Sequence, residues 1–152
     1  ATHEVSCPRS GPEEGVWGNR EVPQATAQRP VLLYDGGCRF CRFAARLVAR
    51  LDRRDELAYL PLDDPEAAPL LAGLAETDRL ETWRLASPDG SLAGRGGGAV
   101  DLLLALRLAR PAGRLLARVP ARRLDRAYEA IARRRSTLGR LVPDRPGPRR
   151  FP

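Results

Sequence analysis

Val31-Leu32-Leu33-Tyr34-Asp35-Gly36-Gly37-Cys38-Arg39-Phe40-Cys41 is the stretch on which the reading of the whole chain turns. Four apolar residues in a row, Val31–Tyr34, read as a short buried strand, and two glycines break it. Two cysteines follow at C-x-x-C spacing. From Cys38 to Leu51 the residues Cys41, Ala44, Ala45, Val48 and Leu51 recur at helical spacing. Arg39, Arg42, Arg46, Arg50 and Arg53 fall largely on the other side. The spacing therefore predicts a dithiol at the N-terminus of an amphipathic helix. Unpaired N–H groups there carry partial positive charge and favour the thiolate. The thiolate is the reactive form of cysteine.

Outward from this stretch, Leu57–Leu62 reads as a second strand. Pro65 suits the first turn of a helix ending near Gly73 or Ala75. Leu80–Ala86 alternates as a strand does. Ser87-Pro88-Asp89-Gly90 has the composition of a tight turn, and Ser91–Arg95 returns antiparallel. Gly96-Gly97-Gly98 then leads into an apolar helix, Ala99 to Ala109, which Pro111 is expected to end. A short helix over Ala112–Arg118 follows. Pro120 opens a last helix, Ala121–Leu138, with Leu124, Ala127, Tyr128, Ile131 and Leu138 on one face. Residues 1–29 lack apolar periodicity and read as a mobile N-terminal extension. Residues 30–142 form the expected domain, and 143–152, with four prolines, a C-terminal tail.

The 152 residues carry 26 basic and 19 acidic side chains, and every basic one is arginine. Arginine without lysine, together with abundant Ala, Gly, Pro and Leu, is the composition expected of a high-GC bacterial genome. Arginines dominate the C-terminal part, where 14 of them between Arg107 and Arg150 face only Asp125, Glu129 and Asp144. The longest apolar stretch, Ala99 to Ala109, is interrupted by Asp101 and Arg107, so no membrane span is expected. No basic-then-apolar leader pattern opens the chain, and a cytoplasmic location is expected. Three cysteines in such a setting argue against a disulfide framework and for redox or metal chemistry.

The element order β-α-β-α-β-β-α with C-terminal helices is the thioredoxin pattern. It predicts an α/β fold of three layers, a four-stranded mixed sheet and extra C-terminal helices. C-x-x-C at the first strand-to-helix turn then reads as a redox-active dithiol beyond the carboxyl end of the first strand. Tyr34-Asp35-Gly36-Gly37-Cys38-Arg39-Phe40-Cys41 resembles the signature of the DCC family of thiol-disulfide oxidoreductases, named for D-x-x-C-x-x-C. Leu60-Pro61-Leu62, Pro88-Asp89-Gly90, Ala99, and the segment Pro120–Arg140 with Asp125, Tyr128, Ala132, Arg133 and Arg135 continue the likeness over about residues 30–140. Two positions depart from it. Gly97 stands where the family often has Ser, and Ser136 where it often has an aromatic. The resemblance implies a thioredoxin-like fold and redox activity and leaves the substrate open.

These residues take definite roles. Cys38, at the expected N-cap, is the attacking thiol, and Cys41, one turn in, resolves the mixed disulfide. Arg39 can stabilise the thiolate. Asp35 can take the proton of Cys41, or it can serve as a turn residue bonding local N–H groups. Arg39, Phe40, Trp83 and Gly97 are the candidate substrate contacts. Trp83 or Thr82 stands where thioredoxin-like proteins usually carry a cis-proline. Gly97 belongs to a glycine run that can offer N–H groups to an anion or act as a flexible turn. The expected partners are a disulfide-containing protein or a glutathione-like thiol, with no cofactor, because the electrons pass through the cysteines. Two other readings use the same chain. Cys38 and Cys41 with Cys7 and His3 can form a metal site. The Arg-rich C-terminal part can bind nucleic acid or an anionic surface, but no aromatic interleaving or recognition motif accompanies it, and a solvated helix face is the reading preferred over nucleic-acid binding.

Overall fold

β1 (Val31–Tyr34) is an interior strand, paired on both sides. In the computed structural model, which describes residues 28–79 and 81–151, the sheet order is β2-β1-β3-β4. After β1 the chain forms α1 (Arg39–Leu51) and returns parallel as β2 (Ala58–Pro61), with Leu33 opposite Leu60. β3 (Arg84–Ala86) runs antiparallel to β1, with Leu32 opposite Leu85, and β4 (Leu92–Gly94) runs antiparallel to β3.

All four β1 residues are buried because both faces of the sheet are covered. The two-residue period of a strand splits them. Val31 and Leu33 join Ala58, Leu60 and Ala86 on one face, while Leu32 joins Tyr59 and Leu85 on the other. The second face is covered by Val48 and Ala49 of α1 and by Leu102 and Ala105 of α3 (Arg95–Ala105). The first face is covered by Ala67, Leu71 and Phe151. This is the three-layer, thioredoxin-like α/β fold expected from the element order.

α1 ends at Asp52, which is 4% exposed. Its carboxylate accepts from the Glu56 and Leu57 N–H groups at 2.7 and 3.0 Å and from the Tyr59 hydroxyl at 3.0 Å. One side chain thus turns the chain from α1 into β2, with Asp55 at φ 56 on the way.

Several elements differ from the sequence reading. Instead of a helix after Pro65 there are two 3-10 turns, Pro65–Ala67 and Pro69–Leu71. Pro69 has no N–H to give to Pro65, so the ladder falls back on three-residue bonds, Ala68 to Pro65 and Ala72 to Pro69. A one-turn helix, α2 (Glu76–Arg79), precedes β3, which keeps only the end of the expected strand. Leu80 lies outside the described residues.

The glycine run does not precede α3 but forms its first turns, entered through Arg95 at φ 55. α3 stops at Ala105 because Leu106 turns extended and buries to 1% exposure. After a 3-10 turn at Arg107–Ala109, Pro111 opens α4 (Arg110–Leu116) rather than ending a helix, since proline lacks only an N–H that the first turn leaves unbonded anyway. The last expected helix is two, α5 (Ala121–Arg133) and α6 (Arg135–Leu141), bent at Arg134. The bend brings α6 back onto α1, where a Cβ on Gly139 would sit 3.6 Å from Arg39 and from the Phe40 nitrogen.

Residues 143–151, read from the sequence as a tail, run back over the domain. The Tyr34 hydroxyl donates to the Pro148 carbonyl at 2.9 Å. Arg150 and Tyr59 exchange backbone bonds of 2.8 and 3.0 Å. Arg149 pairs with Asp64 and Glu66, and Arg42 with Asp144. Of the expected N-terminal extension, residues 1–27, with His3 and Cys7, lie outside the described residues, and Arg29 pairs with Asp55 at 2.7 Å.

Candidate active site

Cys38 is the N-cap of α1, in extended backbone at φ −87, ψ 115. Its Sγ accepts from the Cys41 N–H at 3.2 Å, so sulfur takes the place that an oxygen usually fills at a helix start. Asp35 fixes the approach. One carboxylate oxygen accepts from the Gly37 N–H at 2.9 Å and from the Cys38 N–H at 3.1 Å. Gly36 is held between elements, because a Cβ there would lie 2.8 Å from the Asp63 carboxylate and 3.1 Å from Pro61. Both cysteines are free thiols and half-buried. One oxygen of Asp35 and the two sulfurs all lie within 4.8 Å of one another. A closed tetrahedral zinc site takes four ligands, and these are three.

The two sulfurs differ in surroundings. Burial pushes the Cys41 thiol well up, reinforced by its hydrogen bond to Cys38 and by the charges of Cys38 and Asp35, while Arg135 acts in the opposite sense. Cys41 is therefore a protonated thiol at neutral pH. It lines an apolar pocket of about 240 Å³ walled by Phe40 and Val48 of α1, by Thr82 and Trp83 ahead of β3, and by Tyr128, Ile131 and Ala132 of α5. The Thr82 and Tyr128 hydroxyls bond to each other across it. Cys38 opens instead into a groove of about 440 Å³, lined by Gly37, Arg39 and Phe40 and by Arg135, Ser136, Gly139 and Arg140 of α6. Asp35, Phe40 and Arg135 border both spaces.

The sequence-derived residues thus fall into three sets. Cys38, Cys41 and Asp35 come together. Arg39, Phe40 and Trp83 line one or both of the adjoining spaces. Gly97 lines neither. The glycines beside it are packing devices: a Cβ on Gly96 would lie 2.2 Å from the Leu124 carbonyl carbon, and one on Gly98 3.1 Å from the Ala93 carbonyl carbon. The Gly96 N–H is already given to Asp125 at 3.1 Å. Sequence reasoning did not assign Ile131, Arg135 or Arg140 to the site. The position of Arg135 in the family likeness was the one signal for them.

A sequence profile described as DCC1-like thiol-disulfide oxidoreductase matches residues 32–141. The chain belongs to that family. In this DCC1-like protein the matched segment runs from the second residue of β1 to the last of α6. It therefore takes in the dithiol, the apolar pocket and the basic groove. No curated protein and no solved structure matched the chain.

Proposed function

We propose that this DCC1-like protein is a thiol-disulfide oxidoreductase that exchanges its Cys38–Cys41 pair with the disulfides or thiols of protein or low-molecular-weight substrates. The observation that carries the reading is the unequal pair: one sulfur at the helix N-cap opens to a groove, and the other is buried one turn on. Cys38 attacks a substrate disulfide and forms a mixed disulfide. Cys41 then attacks the Cys38 sulfur and releases the second substrate thiol. Before it can attack, Cys41 must lose a proton that burial holds tightly. Asp35 is the nearby base for that proton, in addition to its work in the turn. Arg39, Phe40 and Trp83 contact the substrate from the two adjoining spaces, whereas Gly97 lines neither of them. Electrons pass through the sulfurs alone. No helix among the described residues is long and apolar enough to cross a membrane. The cytoplasm, which keeps thiols reduced, is the setting proposed for the exchange.

An equilibrium redox titration against glutathione tests the reading. The expected result is an intramolecular Cys38–Cys41 disulfide, two hydrogen masses lighter than the dithiol, at a potential within the range of about −120 to −320 mV spanned by known exchangers and cellular poise. A dithiol that never oxidises in that range would overturn it. Asp35, Cys38 and Cys41 also offer three donors to a soft divalent ion. Stoichiometric zinc in the purified protein, lost on Cys38→Ser together with no disulfide formation, would favour that second reading.

A further inference from the structure

The groove over Cys38 is strongly basic, and its chemistry narrows the substrate of the exchange proposed above, on which this inference rests. Arg39 approaches from α1, and Arg135 and Arg140 from α6. The single carboxylate on the groove wall, Asp35, already accepts two backbone N–H groups. Arg39 has only Asp144 at the 4.0 Å limit of an ion pair. Among the described residues, Arg135 and Arg140 have no ion-pair partner. Three arginines with their charge largely unspent thus line the groove into which Cys38 opens. The space on the other side of the dithiol is a smaller, apolar pocket of about 240 Å³. Thr82 is 5% exposed, its hydroxyl is tied to Tyr128, and α5 walls the pocket. A groove of about 440 Å³ is the size of a small-molecule site.

We propose that the disulfide exchanged at Cys38 belongs to a low-molecular-weight thiol bearing carboxylate groups, held by Arg39, Arg135 and Arg140. Guanidinium groups present fixed forks of N–H donors that match carboxylates. The Cys38 thiolate attacks one sulfur of the symmetrical disulfide. A Cys38–substrate disulfide forms, the substrate S–S bond breaks, and one substrate thiolate leaves with the electron pair and takes a proton from water. Cys41 gives up its proton and attacks the Cys38 sulfur, and the second substrate thiolate leaves and is protonated. The dithiol is oxidised by two electrons and one disulfide is reduced to two thiols. The same groups serve the reverse direction.

The test compares three small disulfides with the reduced full chain: dithiodipropionate (anionic), hydroxyethyl disulfide (neutral) and cystamine (cationic). Each rate is divided by that probe's rate of reduction by dithiothreitol, which removes intrinsic reactivity. At low salt the normalised rate for dithiodipropionate is expected to exceed that for hydroxyethyl disulfide by about tenfold or more, with cystamine slowest, and salt should erode the advantage. The double variant Arg135→Gln, Arg140→Gln should bring the anion-to-neutral ratio close to one. The double variant Arg114→Gln, Arg118→Gln, which removes the same charge from outside the groove, should keep it. A wild-type ratio near one, or equal loss in both double variants, would overturn the inference and leave the exchange reaction standing. A protein that reacts with none of the three overturns the inference, and a dithiol that also fails to oxidise in the glutathione titration overturns the exchange itself. An acidic disulfide peptide that outpaces dithiodipropionate after the same normalisation would assign the groove to a protein segment instead.

Discussion

At the scale of single residues, the site works by separating two chemically identical thiols. The same sulfur–N–H bond that caps α1 places Cys38 at the mouth of the groove, while one helical turn takes Cys41 into the apolar pocket. Alkylation at neutral pH is expected to label Cys38 first, as read by peptide mass spectrometry, and faster labelling of Cys41 would reverse the roles. Cys41→Ser should accumulate a mixed disulfide with a small-disulfide substrate, and Cys38→Ser should abolish exchange. The raised Cys41 pKa also has a consequence for stability. The folded state holds this proton more tightly than the unfolded chain does, so the stabilisation is complete below the ordinary value of 9.0 and is lost as pH rises above it. Denaturant midpoints of the wild type should fall from pH 9 upward, and those of Cys41→Ala should fall less over the same range. Equal slopes would show that the thiol does not carry the effect.

At the scale of elements, close approach decides the architecture more than helix propensity does. Three glycines inside the first turns of α3 are poor helix formers, yet the helix forms because two of them let it meet its neighbours. A methyl on Gly96 would overlap the backbone of α5, whereas one on Gly97 would meet nothing within 4 Å. Gly96→Ala is therefore expected to cost about 1–3 kcal/mol in chemical unfolding and to loosen the α5 wall of the pocket. Gly97→Ala should instead gain about 0.5–1 kcal/mol, because it removes backbone freedom from the unfolded chain without a clash. If the two substitutions behave alike, α3 does not rest on α5 through Gly96. α5 itself, whose apolar stripe reads as a face for burial, has no buried residue. Its Ile131 remains 49% exposed because the stripe walls a pocket instead of closing a core.

At the scale of the whole molecule, residues 143–151 act as a strap. They cover the outer edge of β2 through the Tyr59–Arg150 bridge and add Phe151 to the first core cluster. A bare strand edge would otherwise present unpaired backbone groups to other chains. Gly147 passes over the Tyr34 ring so closely that a Cβ would lie 2.2 Å from its hydroxyl oxygen. Deleting residues 143–152 is expected to destabilise the fold by about 2–4 kcal/mol, from the apolar area returned to water, and to promote self-association along β2. Calorimetry and light scattering on the truncated chain check both parts. The strap also carries a pH signature. Arg149 holds the Asp64 carboxyl below its ordinary value of 3.8, and Arg42 does the same for Asp144. Lowered carboxyl values stabilise the fold above that pH and stop doing so as pH falls through the folded-state values. Acid should therefore weaken the attachment of the strap, and the truncated chain should lack that part of the pH dependence.

The amino-acid sequence by itself determined what is local or periodic. Val31–Tyr34, the glycine break and the C-x-x-C spacing specify a strand, a turn and a capped helix within a few residues of one another, and each choice is made by neighbours in the chain. The β-α-β-β order and the tight turn at Ser87–Gly90 follow in the same way and fix the thioredoxin-like topology. The tertiary structure alone decided how distant segments close on that frame. Pro69 turned a helix into 3-10 turns because of a single missing donor, which the sequence shows but propensity does not weigh. The buried Asp52 that joins α1 to β2, the burial of Leu106 that ends α3, and the strap over Tyr34 all depend on partners that become neighbours only after folding. The same holds for the site. The dithiol was legible, since its two cysteines and Asp35 lie within seven residues of chain. Arg39 was legible too, but Arg135 and Arg140 were not, because they come to the groove at Cys38 only through the bend at Arg134 and the contact of Gly139 with α1. Spacing along the chain specifies which groups share a turn or a helix face, but packing across about a hundred residues decides which charges surround a sulfur.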